Sequence, residues 1–195
     1  MKKRILLFAL LLIFISNAFG QDVEPNENPH GLLIMGGGRY DDLRMCVGSA
    51  AGVKGGPVAD IMYLHTRPFG DDRNLTLNLP VMRPILFSLA FEMLQFEPEI
   101  TFEHKRTFGN IELVTGPGIG VSLHYGPDYQ SDLDDRGDSF FALGPFFSYK
   151  AVIPVTKDGS FKKLAGLKAF YTPLFSQDRS VGTVLGISFI YTLHF

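Results

Sequence analysis

Tryptophan is missing from this 195-residue chain, and cysteine occurs once. The single Cys46 excludes an internal disulfide, so no covalent staple stands in for packing. It reads as an ordinary small apolar residue in a strand. A basic excess is missing too: 18 Lys and Arg stand against 20 Asp and Glu, a net charge of −2. That balance argues against a nucleic-acid partner. His65, His104 and His194 lack the spacing of metal ligands, and no residue set implies a cofactor. Beyond the amino-terminal segment, no apolar run approaches the ~20 residues that a helix needs to cross a bilayer.

What is present begins at the amino terminus. Met1-Lys2-Lys3-Arg4 is basic, Ile5 to Ile15 is apolar throughout, and Ala18 and Gly20 form a small-x-small exit. This is the pattern of a secretory signal peptide over residues 1–20, with an apolar run too short for a membrane anchor. Removing its three basic residues from the 18 leaves 15 against 20 acidic ones, a net −5 for the mature chain. Cys46 lies too far from the exit to carry the lipid of a lipoprotein. Gln21 to Gly31 is polar and rich in Pro and Asn, which predicts a poorly ordered leader. Residues 21–39 are then leader and start of the domain, and 40–195 the domain itself.

Alternation between polar or glycine-rich breaks dominates the remainder, the sequence habit of β structure. Ile111, Leu113, Ile119, Val121, Leu123 and Tyr125 share one face, and Glu112, Gly116, Gly118, Gly120, Ser122 and His124 the other. Phe141, Leu143, Phe147, Tyr149, Ala151, Ile153 and Val155 likewise oppose Ala142, Gly144, Phe146, Ser148, Lys150 and Val152. After a tight turn centred on Asp158-Gly159, Leu167, Ala169 and Tyr171 oppose Gly166, Lys168, Phe170 and Thr172. The final strand sets Val181, Thr183, Leu185, Ile187, Phe189, Tyr191, Leu193 and Phe195 on one face. The first half is noisier. Residues 43–52 and 57–67 read as one hairpin, and Leu75, Leu77, Leu79 and Val81 alternate cleanly. Phe96, Ile100 and Phe102 oppose Glu97, Glu99, Thr101, Glu103 and Lys105. Residues 82–95 fit a strand or a short helix starting at Pro84 equally well. The count is eight strands.

A soluble β-sandwich hides its bulky apolar faces. Here the opposite faces carry glycine rows and charges: Arg44, Glu97, Glu99, Glu103, Lys105, Glu112, His124, Lys150 and Lys168. A narrow barrel interior suits small side chains and acids paired with Lys150, Lys168 or Arg44. Lipid then takes the apolar stripe, and closure leaves no strand edge in hydrocarbon. The expected fold is all-β, a closed antiparallel up-and-down transmembrane β-barrel of eight strands. With its signal peptide and its ending through Phe189, Tyr191 and Leu193 to Phe195, the chain resembles the small outer-membrane β-barrel proteins of Gram-negative-type bacteria. The resemblance is to the OmpA-transmembrane, OmpX and OmpW kind, over residues 40–195. It implies an integral place in the cell outer membrane, contact with outer-membrane lipid, and periplasmic termini. It also implies recognition by the barrel assembly machinery through the terminal strand ending at Phe195. Without tryptophan, an interfacial girdle falls to tyrosine and phenylalanine such as Tyr125, Tyr171 and Tyr191.

Several residues are candidates for chemistry. Glu97, Glu99, Glu103 and Lys105 could line an ion path or form a plug of ion pairs; eight strands enclose too little space for a water-filled pore, which favours the plug. Ser122 and His124 share a face, with Glu112 further along it. A Ser/His/acid set performs acyl transfer, and the lipid A deacylases are eight-stranded outer-membrane proteins that do so. Their His-x-Ser order is absent, however, and residues two apart on a strand sit ~7 Å apart. Asp128, Asp132, Asp134, Asp135 and Asp138 cluster oxygen ligands of the kind calcium takes, although a solvated acidic loop is the simpler reading. That loop, residues 126–138, contains Arg136-Gly137-Asp138, the tripeptide that integrins recognise, and with periplasmic termini it faces an extracellular partner. Asn74 opens an N-x-T pattern that carries no weight in a bacterial barrel strand. The expected role is structural or surface-interacting, with no catalytic centre. The alternatives are a lipid-modifying enzyme and a lateral transporter of small hydrophobic molecules.

Overall fold

The computed structural model describes residues 28–42, 54–83, 94–109, 111–126, 139–158, 161–176 and 181–195. They form nine strands: β1 (His30–Asp41), β2 (Gly56–Pro68), β3 (Arg73–Pro80), β4 (Leu94–Phe96), β5 (Glu99–Phe108), β6 (Ile111–Gly126), β7 (Phe140–Asp158), β8 (Phe161–Ser176) and β9 (Gly182–His194). All belong to one antiparallel sheet. With β4 set aside, the other eight strands pair in chain order from β1 to β9, and β1 pairs with β9 from Gly31↔His194 to Asp41↔Val184, which closes a ring of hydrogen bonds.

The ninth strand does not widen the ring. β4 pairs with β6 from Leu94↔Tyr125 to Phe96↔Leu123, and β5 takes up the same neighbour at Glu99↔Gly120. Two strands therefore occupy one place, separated at Glu97 and Pro98. Pro98 has no N–H to give to a ladder, but its carbonyl accepts from Val121 N at 3.2 Å, which holds the two pieces in line.

The first strand lies earlier than its expected position. The hydrophobic alternation of Leu33 and Met35 overrides the polar leader composition, and β1 begins at His30. Both neighbours of β2 are taken, by β1 and by β3. Residues 43–53, which include the expected first hairpin strand, Arg44 and Cys46, lie outside the described residues, as do residues 84–93 and 127–138. β7 and β8 pair as far as Asp158↔Phe161, so Asp158 ends a strand and the connection is 159–160.

The two ends of the ring differ. Where β1 starts and β9 ends, the strand connections are short: 69–72, 109–110 and 159–160. At the other end they span 42–55, 81–93, 127–139 and 177–181. Along the strands, burial alternates residue by residue. Ile119, Phe141, Phe147, Tyr149, Leu167, Tyr171, Leu185, Ile187 and Phe189 point outward and are 43 to 57% exposed. The interior holds two apolar clusters. One joins Leu33, Met62, Leu64, Val152 and Ile190 among others; the second, Phe140, Ala142, Phe146, Phe170, Leu174 and Val184, belongs to β7, β8 and β9.

Candidate functional site

Alternation along β5 turns Glu99, Thr101 and Glu103 into the ring. Such side chains need room, and β6 supplies it through Gly116, Gly118 and Gly120 on its inward face. A Cβ on Gly118 would overlap Ser148 Oγ and stand 3.3 Å from Glu99 Oε2. The glycine is the space that the carboxylate uses.

Two lysines meet these acids from across the ring. Lys168 Nζ lies 2.6 Å from Glu99 Oε1, and Lys150 Nζ lies 2.5 Å from Glu103 Oε1. The lysines are 2% and 5% exposed. Glu99 also accepts from Asn78 Nδ2 at 3.1 Å and Ser148 Oγ at 3.0 Å. Lys168 Nζ sits 5.3 Å above the Phe146 ring, which lets the cation rest against the apolar cluster. Lys105 pairs with Glu112 at 3.0 Å in a more open position. The ion pairs expected of Lys150, Lys168 and the β5 acids are present.

A second polar group is built around Arg83. Its Nε lies 2.9 Å from Asp60 Oδ2, and its Nη1 reaches Glu97 Oε2 at 2.5 Å and Gln95 Oε1 at 3.3 Å. Gln95 Nε2 then donates to His124 Nδ1 at 3.2 Å, which assigns the ring proton to Nε2, and Nε2 faces Glu97 Oε1 at 3.3 Å. Ser122 Oγ donates to the same Glu97 oxygen at 2.8 Å. Near the strand ends, Arg39 pairs with Asp41 at 3.5 Å.

This geometry decides against the Ser122/His124/Glu112 set as a relay. A nucleophile must give its proton to a base that the acid orients, so histidine stands between the other two. Here the acid stands between: Ser122 and His124 both engage Glu97, and the His124 nitrogen facing it already carries the proton. Glu112 belongs to Lys105 instead. Ser122 and His124 are both fully buried. Both side chains contact the Glu97 carboxylate.

Among the described residues, no three His, Cys, Asp or Glu side chains gather as a metal-binding group. A cavity of about 270 Å³ opens at the short-turn end, lined by Thr66, Arg73, Glu103, Lys105 and His194 among others. The acidic loop and Arg136-Gly137-Asp138 lie outside the described residues.

The sequence reading missed Asp60, Asn78 and Arg83. Asp60 and Asn78 carried a signal, since Asp60 shares the face of Val58 and Met62 two residues away, and Asn78 lies on the face opposite Leu77 and Leu79. Arg83 carried none, because residues 82–95 have no decisive period. No protein-family model, curated protein or solved structure matches this chain.

Proposed function

We propose that the chain is an integral outer-membrane β-barrel protein whose role is structural or surface-interacting, with an interior plugged by ion pairs. The observation that carries this reading is the inverted distribution of side chains. Among the described residues, twenty-four large apolar side chains stand at least 40% exposed, while Lys150, Lys168, Arg83, Glu97, Glu99 and Glu103 are buried. Burying a large apolar side chain is worth about 1.5–3 kcal/mol, so half-exposed ones leave about 1 kcal/mol each unclaimed in water. Twenty-four of them leave about 20 kcal/mol of transfer free energy that water cannot supply. Lipid around the ring removes that deficit, and the closed hydrogen bonding leaves no strand edge in hydrocarbon.

The unequal ends fit the same reading. Outer-membrane barrels pair short periplasmic turns with longer outer loops, which puts 69–72, 109–110 and 159–160 in the periplasm. On the same reading the 126–138 segment, most of it outside the described residues, is the one offered to an extracellular partner. The amino-terminal segment read as a signal peptide supplies the route out of the cytoplasm. Enzymatic lipid cleavage is disfavoured by the Ser122–Glu97–His124 order.

The test is to express the full chain in a Gram-negative host, separate the membranes, and run the outer-membrane fraction on gels with and without boiling. A band that shifts on boiling is expected. Mature protein that stays folded and soluble without surfactant overturns the reading. In planar bilayers the purified protein is expected to give no steady unitary conductance.

A further inference from the structure

Charge on the strands is sorted by sign and by face. From β1 to β6 every strand acid points inward: Asp41, Asp60, Glu99, Glu103 and Glu112. Alternation on β2, β3 and β5 turns Arg67, Arg73, His104 and Arg106 outward, in phase with Tyr63, Leu77 and Phe102. All four lie at the short-turn end. His65 and His30 carry this basic arc on across β2 and β1, where they oppose each other.

The register gathers the arginines. Arg67 is opposite Leu75, and Arg73, two residues from Leu75, is therefore its diagonal neighbour. Arg73 is opposite His104, and Arg106, two residues beyond, is diagonal to Arg73 in turn. Diagonal neighbours on adjacent strands lie ~7–8 Å apart, close enough for two guanidinium groups to meet one phosphate. Among the described residues, neither Arg73 nor Arg106 makes an ion pair. The acids nearest in the chain, Asp71 and Asp72, belong to the 69–72 turn and line the cavity at the mouth, which Arg73 borders from the rim. Toward the middle of the ring the same arc is apolar, through Leu75, Leu77, Ile100 and Phe102. The arc is also limited. At the same end β6, β7 and β9 turn out Ile111, Leu113, Ile153, Val155 and Leu193 instead. An even girdle of snorkelling cations marks a water boundary, whereas a single arc marks a place on it.

We propose that this arc seats an anionic phospholipid of the periplasmic leaflet, with its phosphate on Arg67, Arg73 and Arg106 and an acyl chain along Leu77 and Phe102. The inference rests on the membrane reading above. Guanidinium groups offer planar, forked donors that match phosphate oxygens. A zwitterionic headgroup brings a cation to the same place, where it meets like charge, so the arc selects lipids by net charge.

The experiment is native mass spectrometry of the detergent-purified full-length protein with dimyristoyl phosphatidylglycerol against dimyristoyl phosphatidylcholine, which share acyl chains and differ in headgroup charge. Phosphatidylglycerol is expected to be retained at least about 10-fold better. R67Q/R73Q/R106Q should lose the preference, and R106Q alone, at an exposed position, should lower it at least about 2-fold. K163Q, on β8 and away from the arc, should keep it. Equal retention of the two lipids by the parent, or an undiminished preference in R106Q and the triple variant, overturns the proposal. Full displacement of the lipid by inorganic phosphate overturns it as well, since the arc then serves the free ion. A boiling-shifted protein that inserts into vesicles yet shows no headgroup preference overturns the seat alone, while a chain that inserts nowhere overturns the membrane reading and the seat together.

Discussion

Replacing Lys168 by methionine tests whether the buried ion pairs hold this interior together. At 2.6 Å from Glu99, the pair attracts by about 6 kcal/mol if the effective dielectric is near 20. Desolvation of both ions offsets most of that, so the net worth of the intact pair is small. Orphaning one partner is different. In K168M, Glu99 keeps its bonds from Asn78 and Ser148 but loses its cation, and an uncompensated buried charge costs about 3–5 kcal/mol. E99Q should cost a similar amount by orphaning Lys168. The double variant E99Q/K168M leaves no net charge behind and should lie within about 1 kcal/mol of the parent, so the two single costs do not add and the coupling is about 5–9 kcal/mol. The assay is urea unfolding of the protein refolded in vesicles, followed by far-UV circular dichroism and by migration of unboiled samples, since the chain offers no tryptophan signal. If K168M falls within about 0.5 kcal/mol of the parent, or if the two single costs simply add, the buried-pair account is wrong.

Other perturbations probe other parts. L167R puts a cation on the outward face beside Phe189 and should cost about 2–4 kcal/mol in vesicles; unchanged insertion contradicts a lipid-facing role. G118A intrudes on Ser148 and Glu99, whereas a Cβ on Gly38 meets nothing within 4 Å. G118A should therefore lower stability by about 1–3 kcal/mol and G38A leave the urea midpoint nearly unmoved, and equal midpoints refute the packing argument. S122A and H124A should leave lipid release at background level, identical to the parent, and a parent activity lost in either variant restores the enzyme reading. R83M strips the cation from Asp60 and Glu97 together and should destabilise more than R39M, whose Arg39 holds Asp41 at a longer 3.5 Å; the urea midpoints rank the two.

Most of the second half was legible because period-two alternation there is long and clean. The inward set of β7, from Ala142 to Val152, and that of β8, from Gly166 to Thr172, fell where alternation put them. The ion pairs of Lys150 and Lys168 followed from face and charge, though not which acid each would meet, because that depends on the stagger of strands around the ring. The first strand was hidden by composition: Pro29, His30 and Gly36 to Gly38 look like loop, yet pairing with β2 and β9 overrides local preference. The Arg83 group was hidden for another reason. It joins Asp60, Gln95, Glu97 and His124 from four parts of the chain, and no spacing within one segment encodes such a meeting.

Closure between β1 and β9 has a consequence for how the molecule is made. The residues it joins are almost the entire described chain apart, so this pairing carries the greatest loop-closure entropy and comes last. Until then, two long rows of unpaired amides and carbonyls stand open at once, each a template for a stray neighbour. A half-built ring is thus stickier than either the extended polypeptide or the finished one. Only the last pairing removes both rows at once, and with them every place where a stray strand could add.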